Sequence, residues 1–139
     1  MNEEMFKGSR GMAVDSKGNI YLADKDNHLI RKITPKGEAS ILAGNGKPGY
    51  RDGIGEEAQF NAPHDVAVDS KDNIYVADTL NNCIRKITPE GEVSTFAGSG
   101  KPGYRDGKGK EAEFYLPIGV SVDSDDNIYV ADNSNRIKR

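Results

Sequence analysis

Two histidines, one cysteine and a set of recurring carboxylates are the side chains in this sequence with chemistry to offer. His64 is followed directly by Asp65, an imidazole beside a carboxylate, which is the beginning of a metal site. Such a site needs three or four converging ligands, so a single pair does not complete one. The triplet Tyr50-Arg51-Asp52 recurs unchanged as Tyr104-Arg105-Asp106. Either it recognises a ligand directly, or Arg51 pairs with Asp52 and stacks on Tyr50 so that the loop is stiffened from within. The run from Asp123 to Asn127 has the acidic look of a calcium loop but lacks the bend glycine and distal glutamate, and the parallel segments carry Lys17 and Lys71 where Asp125 stands. It reads as a turn. There is no nucleophile elbow and no Ser-His-Asp ordering. The glycine-rich stretches are not followed by a helix with Lys-Ser/Thr, so they are not phosphate cradles. Catalytic residues and cofactors are accordingly expected to be absent.

Cys83 stands where the first copy has Leu29, and it reads as a small hydrophobe on a strand. Being alone, it excludes an intrachain disulfide and a cysteine metal cluster. The net charge of -3, with 29% charged residues of both signs intermixed, leaves no basic stripe for nucleic acid. The first ten residues lack the apolar core of a secretory signal, and no run approaches the ~18 apolar residues of a membrane span. The expectation for the chain as written is a cytoplasmic protein without a membrane or nucleic-acid partner.

The elements that must position these residues are set by an internal repeat. Asn19 to Gly37 recurs from Asn73 and begins again from Asn127, and Asp15, Asp69 and Asp123 mark a step of about 54 residues. Each copy opens with a short apolar run, Met12 to Val14, Val66 to Val68 and Val120 to Val122, which reads as a buried inner strand. A tight turn follows, with Gly18, Asp72 or Asp126 at a position suited to left-handed backbone. The second strand, from Ile20, ends at Asp24, and its counterparts end at Asp78 and Asp132, acids expected to close the next loop. The third strand, "LIRKIT" or "CIRKIT", is expected to carry Arg and Lys on a polar side. Pro35 and Gly37 then fit a hairpin turn into a fourth strand, Ala39 to Leu42 or Val93 to Phe96. The long connection that follows holds five glycines per copy, which precludes regular structure beyond one helical turn, and its Phe60 or Phe114 is placed to wedge between sheets. Eleven strands are expected. Residues 1–10, with Phe6 in register with Phe60, read as the tail of such a connection; 11–64 and 65–118 are full repeats, and 119–139 is a truncated third whose loop before Ile137 is one residue short.

A four-stranded antiparallel meander returning by a long connection to the next inner strand is an all-β, β-propeller layout. The pattern from Val14 to Glu38, with Asn27, His28 and Leu29, resembles the NHL-repeat family; the later copies depart from it at Asn81, Asn82 and Cys83 and at Asn135, Arg136 and Ile137. The resemblance implies a six-bladed ring, of which this chain supplies about half. A homodimer closing one ring is the expected assembly, and a fragment of a longer protein is the alternative. The resemblance also places the loops between strands two and three and the connections on one face. The ligand-binding candidates there are Arg10, His28, Tyr50, Arg51, His64, Asn82, Tyr104 and Arg105, with Arg10, His64 and Ile118 at the channel mouth. The function expected is a noncatalytic scaffold binding a protein, peptide or carbohydrate. The alternative is a metal-dependent enzyme of the lyase or lactonase type with a channel metal.

Overall fold

The structure is a computed structural model that describes residues 9–103, 107, 109–133 and 137–138, with backbone alone at 9, 10, 110, 137 and 138. Residues 1–8 with Phe6, the triplet 104–106, residues 134–136 and the Arg10 side chain, on all of which expectations were placed, lie outside the described residues.

Alternating β-branched and aromatic residues between Gly- and Asp-bearing turns form strands because each strand offers one face to each neighbouring sheet. The first blade is β1 (Ser9–Val14), β2 (Ile20–Asp24), β3 (Leu29–Ile33) and β4 (Ala39–Ala43), paired antiparallel in that order. After the two-residue β5 (Gly53–Ile54), the second blade follows as β6 (Pro63–Val68), β7 (Ile74–Asp78), β8 (Cys83–Ile87) and β9 (Glu92–Ala97). The third is β10 (Pro117–Val122), β11 (Ile128–Asp132) and β12 (Ile137–Lys138). These are three blades of a β-propeller. The described residues thus hold the eleven expected strands and a twelfth. β5 lies in the glycine-rich connection, where no strand was expected, and it adds a fifth strand to the outer edge of the second sheet by pairing Gly53 with Val93. The physical reason is that the exposed edge of β9 has backbone groups to satisfy, and two residues suffice. The single helical turns appear at Gly55–Glu57 and Gly109–Glu111.

The register of the third copy shows its missing residue. Ile137 pairs with Ala131, where Ile84 pairs with Ala77, so Lys138 takes the register position that Arg85 holds in blade 2.

The interior sits between blades. Tyr21, Ala23, Ile30 and Ala43 on the following face of blade 1 pack against Val66, Ile74, Val76, Ile87 and Val93 on the preceding face of blade 2, with Ala58 and Phe60 between them. A second cluster repeats this one blade on, with Ala67, Tyr75, Ala77 and Ile84 against Val120 and Val130, and with Phe114 as the wedge. Full burial of a Phe-sized side chain contributes roughly 2–3 kcal/mol. The expectation that every inner strand is buried fails for blade 1, where Met12 is 63% and Val14 58% exposed. Those residues face the side on which no blade lies among the described residues.

Candidate functional site

The connection and the loop between the second and third strands meet at one end of the sheets. Lys25–Asn27 and Thr79–Asn81 each form a 3-10 turn closed by a residue in left-handed conformation, His28 (φ 57°) and Asn82 (φ 52°). Both side chains then accept a backbone N–H from the connection into the next blade. His28 Nδ1 takes that of Ala62 at 2.9 Å, and Asn82 Oδ1 that of Leu116 at 3.0 Å. Imidazole and amide are interchangeable here because each has one suitably placed acceptor. Two of the ligand-binding candidates are therefore held in junctions between blades.

The acids ending the second strands do close the loop, and more. Asp78 accepts the amide of Asn81, the backbone N–H of Asn61 and the guanidinium of Arg85, each at 2.8 Å. Arg85 is fully buried. Its guanidinium lies between the rings of Tyr50 and Phe60, 4.8 and 5.0 Å from their centroids. It also donates to Asp52 Oδ1 at 2.7 Å and to the backbone oxygens of Arg51 and Gln59 at 2.8 Å. Burial opposes its charge, but the Asp78 and Asp52 carboxylates win and hold the guanidinium above its usual range. The pairing expected within the triplet is thereby corrected: Asp52 and Tyr50 serve Arg85 of β8, whereas Arg51 is exposed and lends its carbonyl. The expected polar side for Arg and Lys of β8 is corrected with it. Arg85 and Lys86 point to opposite faces because a strand alternates, and the face of Arg85 is the one that the connection covers.

At the inner edge, each first strand opens with a bulge, after Ser9, Pro63 and Pro117 respectively. The bulge falls at Arg10, His64 and Ile118. A bulge re-aims one side chain out of the sheet alternation. His64 is half-buried and Ile118 is 42% exposed. Asp65 turns toward the neighbouring inner strands. It accepts the Val120 N–H at 3.0 Å, and it lies so close to Gly11 that a Cβ there would collide with its carboxylate. Burial pushes its carboxyl above the ordinary value, against the pull of the Val120 and Val66 amides and of His64. Among the described residues no three histidine, cysteine or carboxylate groups converge in a manner that would hold a metal ion. Cys83 is buried and its thiol is pushed up to about 12, chiefly by burial.

The loop end thus brings together His28, Tyr50, Arg51 and Asn82 with the two connections, and sets His64 at the inner edge. Sequence reasoning missed Arg85 and Asp78 as the centre of this end. The signal that could have found them is that Asp78, Arg85 and the triplet recur in step in the sequence. At the opposite end the turns repeat a fixed pattern. Asp15, Asp69 and Asp123 each accept two backbone N–H groups, an Asn amide and a Tyr hydroxyl, as with Asn19 and Tyr21.

The NHL repeat model matches residues 10–33, 60–87 and 114–136. The chain is 42% identical over 101 residues to NHL repeat-containing protein 2 of Bos taurus, covering 71% of this chain and 14% of that protein. It is 32% identical over 101 residues to peptidyl-alpha-hydroxyglycine alpha-amidating lyase 1 of Drosophila melanogaster, covering 69% of this chain and 18% of that one. The crystal structure of an auxiliary nutrient binding protein from Bacteroides thetaiotaomicron superposes with a TM-score of 0.79 at 30% identity, covering 91% of this chain and 35% of that one. The chain therefore spans only a small part of the curated relatives it matches. With the repeat matched in all three blades and the blades folded as the repeat dictates, the chain belongs to the NHL-repeat family.

Proposed function

We propose that this chain is a noncatalytic binding scaffold, three NHL blades that present the loop end to a protein, peptide or carbohydrate partner. One observation carries the reading: among the described residues, five polar side chains of that end and the inner edge are spent inside the molecule, while side chains left outside suit binding. His28, Asn82, Asp65, Asp78 and Arg85 each hold backbone or a neighbouring charge. Tyr50, Arg51, Leu80 and Ile118 are exposed. Aromatic, aliphatic and arginine side chains on loops fixed by a rigid frame are the usual material of a recognition surface. The similarity to a nutrient-binding protein supports this class of function. Probing a peptide array and a glycan array with the chain tests the proposal. Arg51→Glu and Leu80→Asp are expected to abolish the binding found while leaving the fold intact; binding untouched by both substitutions overturns the choice of face.

A metal-dependent enzyme is the second reading, favoured by the lyase relative and by the adjacent His64 and Asp65 at the inner edge. Metal analysis of the purified protein separates the two, since this reading requires a bound ion that His64→Ala removes. Completion of the ring belongs to the proposal as well. A second copy of this chain supplies nearly all the strands of six blades, and a clean monomer by light scattering at micromolar concentration ends that form of completion. Additional blades in a longer chain are the other form.

A further inference from the structure

We infer that Asn45 is a site of spontaneous covalent modification by water: the amide nitrogen of Gly46 displaces ammonia from its side chain, water opens the ring that results, and a neutral position at the loop end becomes a carboxylate. The inference goes beyond the binding role proposed above, and it stands whether or not that end takes a partner.

Asn45-Gly46 is the one Asn-Gly pair in the sequence, and it opens the first long connection with Asn45, Gly46 and Lys47 all exposed. The nucleophile is available, because the Gly46 N–H makes no hydrogen bond among the described residues. Ring closure needs its nitrogen to swing toward Asn45 Cγ, a motion that a residue without Cβ resists least. The space is open as well: a carbon added at Gly46 would meet nothing nearer than the Asn27 carbonyl oxygen at 4.0 Å. The electrophile is held in place, since Asn45 Oδ1 accepts the Lys47 backbone N–H at 3.0 Å. A donor on that oxygen draws electrons from Cγ and steadies the negative charge that gathers there as the nitrogen attacks. The Gly46 N–Cγ bond forms as the Cγ–Nδ2 bond breaks, and the Gly46 amide proton departs with Nδ2 as ammonia. Water then adds to either carbonyl of the ring and breaks its bond to nitrogen, giving aspartate or isoaspartate without oxidant or reductant.

Elsewhere the fold withholds one or more of these conditions. Every other asparagine is followed by a residue with a side chain. The N–H groups of His28, Ala62 and Asn82, which follow Asn27, Asn61 and Asn81, are bonded to Lys25 O, His28 Nδ1 and Thr79 O. Asp52-Gly53 of the same connection could close such a ring, but it is clamped. Asp52 is paired with Arg85 at 2.7 Å, Gly53 is paired with Val93, and Glu57 Cβ stands 2.9 Å from where a Cβ of Gly53 would lie. Blade 2 carries Ser99 at the place of Asn45, so the blade is built as well without the amide. Asn45, Gly46 and Glu56 line one open concavity of about 360 Å³ beside Leu29 and Ile41, and conversion puts a second carboxylate into it. The change is one-way, and it makes this part of the loop end acidic.

The test incubates the whole folded chain in mildly alkaline buffer, below its unfolding midpoint, beside a synthetic peptide of residues 37–51. That peptide is also the tryptic fragment that carries Asn45, because Lys47 precedes a proline. Mass spectrometry of the digest is expected to show the amide of this fragment turned to acid, as separable aspartyl and isoaspartyl products, with the other asparagines unchanged. When half of the free peptide has converted, a comparable share of the folded chain should have done so. A folded chain that still keeps Asn45 at that time overturns the inference, and so does conversion spread over the strand asparagines, which would trace to unfolded chain. Asn45→Ser, the residue of blade 2, should abolish the acidic shift on isoelectric focusing; a shift that persists in this variant overturns the assignment to Asn45. Asn45→Asp, which keeps an acceptor for the Lys47 N–H, should hold the unfolding midpoint within about 2 °C of the native sequence. A larger fall would overturn the reading of a charge change confined to the surface.

Discussion

Blades 1 and 2 carry the same five residues, Ile-Arg-Lys-Ile-Thr, on their third strands, and the arginine has two different lives. Arg85 of blade 2 is fully buried between two rings and two carboxylates. Arg31 of blade 1 donates to Asp24 at 2.7 Å and keeps 20% of its side chain exposed. The local sequence and the local strand are alike; what differs is that the connection carrying Tyr50, Asp52 and Phe60 folds over Arg85. In a repeat array an interior is made at the junction and not within the unit. The same residue type at the same register is core in the blade that has a neighbour on both faces among the described residues, and only partly buried in the one that has a single neighbour there.

The sharpest way to break this comparison is to remove the acid from each pair. Asp78→Ala leaves the Arg85 charge buried and two further donors, from Asn61 and Asn81, without their acceptor. Truncating one partner of a buried pair costs about 3–5 kcal/mol. Asp24→Ala is expected to cost about half as much, because Arg31 can turn to water. Urea unfolding of the two variants measures the gap, and equal losses would show that the cage around Arg85 adds nothing. Next in size is the aliphatic layer. Ile74 is fully buried while its counterpart Ile20 is half-exposed. Ile74→Ala should cost about 3 kcal/mol and Ile20→Ala about 1 kcal/mol. Adding a blade on the preceding side of blade 1 should raise the second figure toward the first.

Much of this fold was legible in advance because the repeat states its strands three times, and period-2 alternation between turn residues has few other solutions. The left-handed positions at Gly18, Asp72 and Asp126 and the wedging of Phe60 and Phe114 were readable for the same reason. The exposure of Met12 and Val14 was not, since a periodic sequence describes each face as if its neighbour were present. β5 is not legible in the sequence because a two-residue strand, Gly53–Ile54, carries no periodicity, and its cause is the edge of β9, about forty residues away. The Arg85 site was half-visible. The triplet reads as a unit, but the cation nearest in the chain, Arg51, is not the one that Asp52 and Tyr50 meet, because chain proximity is a poor guide where a loop crosses a sheet.

A smaller effect sharpens the comparison at the loop end, where His28 and Asn82 make the same contact with different chemistry. His28→Ala and Asn82→Ala should each cost about 2 kcal/mol, from an unsatisfied N–H of the next connection and an alanine forced into left-handed backbone. His28→Asn should be neutral to within about 0.5 kcal/mol, since Asn82 already shows that the amide fits. A neutral exchange in thermal unfolding would assign His28 to the junction, and a loss as large as that of alanine would show that the imidazole does something the amide cannot.

The smallest expected effect contrasts the two ends of the molecule through acid. Asp15 and Asp69 are held below the ordinary carboxyl value; burial works against this, but the amides of Asn19 and Asn73, the Tyr hydroxyls and the backbone N–H groups prevail. The same donors, led by Asn127, bring Asp123 to about 2. A lowered native pKa means that the unfolded chain binds more protons in the window between the two values, so stability is fully present above about pH 4 and is lost as pH falls toward 2. Asp65 has the opposite sign. Its carboxyl is raised, so the native state binds the extra proton, and stability falls as pH rises through the window above the ordinary aspartate value. The two slopes meet near pH 4; below it Asp65 is protonated in the folded and unfolded chain alike, and its contribution no longer changes. Thermal unfolding from pH 2 to 7 should therefore show a shallow maximum near pH 4 in the native sequence. Asp65→Asn, which keeps an acceptor for the Val120 N–H, should make the decline above the maximum shallower and leave the acid limb in place, the remaining decline belonging to Asp78, whose carboxyl burial also raises. If the slope above the maximum is unchanged in this variant, the charge at Asp65 is already compensated, and the inner edge is no more strained by its carboxylate than the turns are by theirs.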